Sequence, residues 1–359
     1  MIIQKFQNGI NIGGWLSQYE FAAKEPLTGE NLSGHFDTFI SEDDIRRIGE
    51  WGFDHIRLPV SGYLLYDREK KQIKPEIMAY IDRCVLWCAA YGLNMVLDLH
   101  DLWGNVYGAM DTVMPLLEDE KLKDNFYRIW EELAQHFRGK ETGITVMFEL
   151  LNEVSDASGY LWNRMYKEAV KRIRSIDKER PILAGSNAQN SVSCLSQLDL
   201  LEDENVCYNF HFYEPLVFTH QKAHFSEELK EFNQTVTYPG DISGFRDYLK
   251  KHPQYQMKYA LTAEETVNDR ALMERLLEHA RKFVAYSGCQ LYCGEFGVID
   301  SAPPEEAAKW VRDLTGIFAD YRIGHALWNY KGLDFGLLDL DGNVVSRIHK
   351  QLSPFISIW

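Results

Sequence analysis

Two glutamates lie in apolar runs that are otherwise typical of buried strands. Glu153 ends the run TVMFELLNE at 145–153, and Glu295 lies within QLYCGEFGV at 290–298. A carboxylate is costly to bury without a partner, so its presence in such a run indicates a functional or paired group. Cleavage of a glycosidic bond needs a neutral acid that protonates the leaving oxygen and an anion that meets the oxocarbenium-like carbon. Glu153 and Glu295 are therefore the candidate catalytic pair.

Further polar or aromatic residues fall on the same set of runs. They are Arg57, His100, Asn152, His211, Tyr213 and Trp328. Active sites of parallel barrels lie at the carboxyl ends of the strands, so these residues are expected to converge on one mouth. Arg57, a permanent cation, could hold one glutamate ionised, while an apolar or aromatic wall could raise the pKa of the other. The alternative is a set of separate ion pairs and capped strand ends, which the shared location disfavours.

The elements that must position these residues alternate between short apolar runs and longer amphipathic stretches. The runs lie at 9–14, 55–60, 93–100, 145–153, 181–186, 205–213, 290–298 and 324–330. Each run predicts a buried parallel strand, and helical patterns lie between them, such as the one that begins at Pro75 and ends at Gly92. Eight alternations predict an α/β fold of the (β/α)8, or TIM-barrel, type.

The chain shows no linker or internal repeat that would divide it. Residues 1–359 are therefore interpreted as a single (β/α)8 catalytic domain. The stretch at about 214–262, after the sixth strand, is too long for an ordinary strand–helix connection. It predicts an extended functional loop over the barrel mouth.

Composition restricts the partners and the compartment. A net charge of -15 would repel a phosphate backbone, so nucleic acid is not expected as a partner. No apolar run approaches the roughly 20 residues of a membrane span, and no membrane association is expected. The N-terminus shows no signal-peptide pattern, which favours the cytoplasm, with a secreted mature form as the alternative. The six dispersed cysteines are expected to be free or buried thiols.

The motifs together resemble glycoside hydrolase family 5, the cellulase-A family, over essentially the whole chain. FELLNEV at 148–154 resembles the family's Asn-Glu acid/base motif, and YCGEFGV at 292–298 resembles its nucleophile motif. HIRLPV, LDLH, HFY and the late tryptophan follow the expected order. The resemblance implies a retaining β-glycosidase in which Glu153 is the acid/base and Glu295 is the nucleophile. It requires no metal and no organic cofactor.

The same resemblance implies a role for each accompanying residue. Asn152 should bond the sugar 2-hydroxyl, and His211 should orient Glu153. Tyr213 and Arg57 should together keep Glu295 anionic. His100 should reach sugar hydroxyls, and Trp328 should form the floor of the subsite beside the cleaved bond.

The substrate is less constrained than the reaction. GINIGGWL at 9–16 resembles the exo-β-1,3-glucanase branch, in which a glutamate after the tryptophan reads the terminal glucose. Here Tyr19 occupies that position and Glu20 follows it. The stretch at 213–225 resembles a loop of bacterial endoglucanases or β-glucosidases, and there Phe218, His220 and Gln221 either line a subsite or pack the loop. Trp103 is a further stacking candidate with the same two interpretations.

Since polymers do not enter cells, a cytoplasmic location favours an exo-acting β-glucosidase or exo-glucanase that acts on oligosaccharides or small glycosides. The alternative is an endo-β-glucanase that acts on β-glucan polymers. A non-catalytic carbohydrate-binding barrel would be marked by loss of one carboxylate, and both are present. A metal-dependent barrel would use His100, Asp101 and His211 as ligands. The sequence does not determine an oligomeric state.

Overall fold

Eight parallel strands form a closed barrel in the computed structural model, which describes residues 1–345 apart from 30, 106–112, 141, 260 and 262–264. The strands are β1 Asn8–Asn11, β2 His55–Ser61, β3 Asn94–Asp101, β4 Val146–Glu149, β5 Ile182–Gly185, β6 Val206–His211, β7 Leu291–Phe296 and β8 Gly324–Leu327. Each pairs with its neighbours in chain order, and β1 pairs with β8 to close the barrel. Every predicted run contains one strand, so the predicted (β/α)8 fold is confirmed.

Amphipathic helices cover the outside of the barrel. The longer ones are Glu42–Glu50, Pro75–Ala90, Glu120–Phe137, Tyr160–Ile176, Glu278–Ser287 and Pro304–Tyr321. Helix Glu120–Phe137 buries Phe126, Ile129 and Leu133, whose spacing of three or four residues places them on one face. Asp119 begins this helix, because its carboxylate accepts from the backbone N–H groups of two first-turn residues.

Shorter helical pieces complete the described part of the chain. They are Tyr19–Ala22, Leu32–Thr38, Gly62–Leu65, Asn187–Asn190, Leu216–Thr219, Glu227–Phe232, Ser243–Lys251 and Arg270–Leu276, with 3-10 turns at Ile2–Lys5, Pro115–Leu117, Val192–Gln197 and Pro253–Lys258. Two small antiparallel ribbons pair Tyr66–Asp67 with Gln72–Ile73 and Gly240–Asp241 with Val267–Asn268. No helix among the described residues is long and apolar enough to cross a membrane.

The barrel interior is built in layers. Val96, Met147, Leu183, Cys207, Tyr292 and Ala326 form an apolar cluster, which Ile3 and Phe6 pack against. Two residues further along the strands the inward side chains become polar, as at Asp98 on β3, Glu149 on β4 and Asn209 on β6. Since strand side chains alternate with period two, these residues share the inward face with the apolar layer beneath them.

Two details differ from the sequence-based prediction. The segment after β6 is long, as predicted, but it folds into short helices rather than an irregular loop, because Leu229, Phe245 and Leu249 supply apolar side chains that are buried there. Several strands are also shorter than their runs, since β4 ends at Glu149 and β8 ends at Leu327. Apolar residues beyond β4 are buried outside strand geometry, so the apolar run overestimates the strand.

All six cysteines are free thiols, as predicted. Cys84, Cys88, Cys207 and Cys293 are buried, whereas Cys194 and Cys289 are partly exposed.

Candidate active site

Arg57 is the centre of the polar layer inside the barrel. Although the site was expected at the carboxyl ends of the strands, Arg57 is the third residue of the seven-residue β2 and is fully buried. Its long side chain reaches towards the mouth, so a mid-strand position still delivers the guanidinium to the site. Nε and Nη2 donate to both oxygens of Glu149 at 2.7 and 2.9 Å. Further hydrogen bonds go to Asn11 Oδ1 at 2.9 Å, Glu295 Oε1 at 2.8 Å and Asn152 Oδ1 at 2.8 Å, and Asp98 Oδ2 lies 3.1 Å from Nη2.

Glu295 lies in β7 and is 6% exposed. Arg57 donates to its Oε1, and the Tyr213 hydroxyl donates to its Oε2 at 3.0 Å. Burial raises the pKa of Tyr213 well above its usual range, and the charge of Glu295 adds to this effect. The phenol therefore remains a hydrogen-bond donor, and both oxygens of Glu295 are held by donors that stabilise its negative charge.

Glu153 is held differently. It follows β4 by four residues in a left-handed backbone conformation with φ 47°. Burial raises its pKa to about 7, although His100 and Arg57 act in the opposite direction. His211 Nδ1 lies 2.9 Å from Glu153 Oε1, and burial lowers the pKa of His211 to about 4. A neutral imidazole that donates from Nδ1 fits this contact, since the amide of Asn190 lies 3.1 Å from Nε2 on the other side of the ring.

The two glutamates face each other at short range. An oxygen of Glu153, an oxygen of Glu295 and a ring nitrogen of His211 all lie within 4.8 Å of one another. Retaining glycosidases hold their carboxyl groups about 5–5.5 Å apart, whereas inverting enzymes need about 6.5–9.5 Å to admit a water. An oxygen–oxygen approach within 4.8 Å lies on the retaining side of this division.

His100 and Trp328 lie together at the mouth. The His100 ring is parallel to the Trp328 ring to within 5°, with centroids 5.8 Å apart. His100 Nδ1 lies 2.8 Å from Asp98 Oδ2, so Asp98 orients the imidazole. Burial lowers the pKa of His100 and raises that of Asp98 to about 7. All eight residues predicted for the site therefore lie in one region. Arg57 lies on one side of this region, and the His100–Trp328 stack lies on the other.

The residues with two open interpretations are all buried or partly buried and all make packing contacts. Phe218 and Gln221 pack the insertion, because both are buried and the Gln221 amide bonds backbone groups of Phe218 and Val236. His220 packs edge-on against the Tyr213 ring at 5.1 Å. Trp103 is partly buried and contacts Tyr63 at 4.8 Å.

Glu20 and the metal hypothesis are less favoured by the geometry. Glu20 is exposed on the short helix Tyr19–Ala22. Across the described ranges, the His, Cys, Asp and Glu side chains close enough to share an ion are Glu153, His211 and Glu295, a set that omits His100 and Asp101. Asp101 instead accepts a hydrogen bond from Ser61 at 2.5 Å.

Sequence reasoning missed the residues that surround Arg57 inside the barrel. They are Asn11, Asp98, Glu149 and Asn209. A signal for two of them is present, because Asp98 precedes His100 by two positions and Asn209 precedes His211 by two. The period of a strand places each pair on the same face.

Comparison with known proteins finds a matching family. The model of the cellulase family, glycosyl hydrolase family 5, matches residues 20–334. The chain belongs to this family. Endoglucanase C of Acetivibrio thermocellus is 40% identical over 343 residues, which cover 95% of this chain and 96% of that protein. Cellodextrinase A of Ruminococcus flavefaciens is 33% identical over 88% of this chain and 82% of its own length.

Solved structures extend the likeness in fold. Thermotoga maritima Cel5A in complex with cellobiose superimposes with a TM-score of 0.74 at 22% identity, over 98% of this chain and 99% of that one. The family 5 chain described here is thus a glycoside hydrolase with a TIM-barrel fold.

Proposed function

We propose that this family 5 hydrolase is a retaining endo-β-glucanase that cleaves internal β-glucosidic bonds of glucans and cello-oligosaccharides. The observation that supports this reaction class is that a carboxyl oxygen of Glu153 lies within 4.8 Å of a carboxyl oxygen of Glu295, while each glutamate is held by different partners. Glu295 has two charge-stabilising donors, whereas Glu153 has a neutral imidazole and a pKa of about 7. These environments suit a nucleophile and an acid/base, respectively.

The proposed first step is displacement of the leaving group. Glu295 attacks the anomeric carbon, and Glu153 transfers its proton to the leaving glycosidic oxygen as the bond breaks. Asn152 supports this step from the side, because its Oδ1 already accepts from Arg57 and its NH2 group is thereby oriented to donate to the sugar 2-hydroxyl. His100 and Trp328 bind the ring beside the cleaved bond.

The second step is hydrolysis of the glycosyl ester. Ester formation removes a negative charge close to Glu153, which favours the ionised form of this carboxyl. Glu153 then takes a proton from the attacking water, and the water oxygen displaces Glu295 from the anomeric carbon. Two inversions give net retention of configuration.

The preference for internal bonds reverses the order expected from the sequence. Relatives named endoglucanases match this chain at 40% identity over almost their full length. Glu20, the residue nearest to a terminal-glucose reader, is exposed on its helix. The 33% identity to a cellodextrinase supports short cello-oligosaccharides as a second substrate class.

One pair of assays tests the mode of action. On carboxymethylcellulose, internal cleavage lowers viscosity early, when few reducing ends have formed. We expect this result, together with a β-configured first product in proton NMR. Slow viscosity loss with steady release of glucose or cellobiose from chain ends would instead show exo action, and an α-configured product would overturn the retaining mechanism. Activity on cellopentaose but not on the polymer would favour the cellodextrin alternative.

The compartment is still a prediction. A cytoplasmic location would supply imported oligosaccharides rather than polymer, and fractionation of cells that produce the protein would test it.

A further inference from the structure

The strand that carries Glu295 contains an extra residue. On the β6 side, Cys293 pairs with Phe210 and Glu295 pairs with His211, so two steps along β7 match one step along β6. On the β8 side, Cys293 pairs with His325 and Phe296 with Leu327, which again leaves one residue extra on β7. Gly294 is therefore the centre of a β-bulge directly before Glu295, and bulges beside active sites redirect a side chain.

A bulge interrupts the ladder, so the peptide groups of Gly294 need other partners. The Gly294 N–H donates to Asn209 Oδ1 at 2.8 Å, and its carbonyl accepts from Asn11 Nδ2 at 3.0 Å. Both asparagines are 0% exposed and come from opposite sides of β7 in the barrel, on β6 and β1. Two buried side-chain amides thus replace the bonds that a regular ladder would provide.

The two amides are joined to the partners of Arg57. Asn209 Nδ2 donates to Glu149 Oε1 at 2.8 Å, and Asn11 Oδ1 accepts from Arg57 Nη1 at 2.9 Å. Arg57 in turn bonds Glu149 with two nitrogens and Glu295 with one. The backbone before Glu295 and its carboxylate are therefore fixed by the same buried group of residues.

Glycine is required at the bulge for a steric reason. A Cβ at position 294 would lie 2.7 Å from Asn209 Nδ2 and 2.9 Å from Asn209 Oδ1. A larger residue would have to displace the amide that holds the peptide.

We propose that Asn209 and Asn11 are positioning residues that hold the Gly294 bulge and so aim Glu295 at the anomeric carbon. This inference rests on the proposed function, in which Glu295 is the nucleophile. The two residues act through Glu295 and do not contact the sugar. Their removal should slow the step that forms the glycosyl ester, because a small displacement of a nucleophile costs on the order of a hundredfold in rate.

The test compares Asn209→Leu in two backgrounds with 2,4-dinitrophenyl β-cellobioside as substrate. In the wild-type background we expect kcat/KM to fall about a hundredfold. In the Glu295→Ala background, azide replaces the carboxylate: it attacks the anomeric carbon, dinitrophenolate leaves with the bonding electrons, and an α-glycosyl azide forms. Since Glu295 is then absent, Asn209→Leu should change the azide-dependent rate by less than about threefold.

The outcomes separate the two hypotheses. If azide does not rescue Glu295→Ala, the nucleophile assignment fails and the positioning role fails with it. If azide does rescue it, but Asn209→Leu reduces the rate equally in both backgrounds, the proposed function stands and the positioning inference is overturned. A loss confined to the wild-type background supports the inference.

Asn163→Leu is the matched control. Asn163 is also a buried amide that donates to one carbonyl, of Gln197, and accepts from one N–H, of Asp199, but it lies on the outer helix Tyr160–Ile176. It should lower the melting temperature without a background-dependent change in rate. If Asn209→Leu does not fold, Asn11→Ser takes its place in the same comparison, with the same expected and contradicting results.

Discussion

The partly buried position of Glu153 predicts that the alkaline side of the pH–activity profile belongs to this residue. With a pKa of about 7, about half of Glu153 is protonated at pH 7 and about one-hundredth at pH 9. A pKa at the ordinary value of about 4.3 would leave only about 0.2% protonated at pH 7. Burial disfavours the charged form, so the acid is present below the pKa and is lost as the pH rises through it. For substrates that need proton donation, kcat/KM should therefore fall about tenfold per pH unit above about 7.

The leaving group makes this expectation specific. We would measure kcat/KM from pH 5 to 9 with phenyl β-cellobioside, whose leaving group needs a proton, and with 2,4-dinitrophenyl β-cellobioside, whose leaving group departs without one. The alkaline loss should appear with the first substrate and be nearly absent with the second. Glu153→Ala should cost about 10²–10⁴-fold with the first substrate and far less kcat/KM with the second.

Two further results complete the test. In Glu153→Ala, kcat for the dinitrophenyl substrate should still fall, because hydrolysis of the ester lacks its base, and azide should restore turnover by forming a β-glycosyl azide. The reasoning is refuted if the alkaline loss persists at the same pH in Glu153→Ala. It is also refuted if both substrates lose kcat/KM equally in that variant.

Three other variants test separate parts of the site. Tyr213→Phe should lower kcat/KM about ten- to a hundredfold, since a hydrogen bond to a charged group contributes about 1.5–3 kcal/mol. The control Tyr238→Phe removes a hydrogen bond to Asp313 and should leave kcat/KM unchanged. Arg57→Met should lower the free energy of unfolding in urea by about 3–5 kcal/mol, because buried carboxylates lose their cation. Arg46→Met, which removes an exposed ion pair, should lower it far less, and equal losses would contradict the account. Gly13→Ala should raise KM for cello-oligosaccharides more than it changes kcat, since the Cβ of the alanine would lie 2.6 Å from Trp328 Cη2 and displace that ring. An unchanged KM would argue against Trp328 as the floor of the subsite.

Residues whose position follows from the strand pattern were predictable from the sequence. Glu295 and His211 lie within the strands that their apolar runs predict, and Asn152 and Glu153 follow β4 closely. The reach of Arg57 does not follow from the strand pattern, because a guanidinium on a long side chain in the middle of a strand can still extend to the mouth.

The inner polar residues were missed for a different reason. Glu149 lies within VMFELL at 146–151, where it is the single polar residue, and its role depends on Arg57, 92 positions earlier in the chain. The bulge at Gly294 is visible only as a register shift between three strands. Such long-range pairings leave no local pattern in the sequence, so they could be identified only in the folded structure.

Because Arg57 is buried, dissolved salt should affect its ion pairs and the ion pairs on the protein surface differently. Exposed pairs such as Arg46–Glu50 are reached by dissolved ions, and at about 1 M ionic strength charges interact over only about 3 Å of water. The pair of Arg57 with Glu149 is out of reach of those ions, because both side chains are fully buried. Concentrated salt should therefore weaken the ion pairs on the outer surface of the barrel and leave the Arg57–Glu149 pair inside it nearly unchanged.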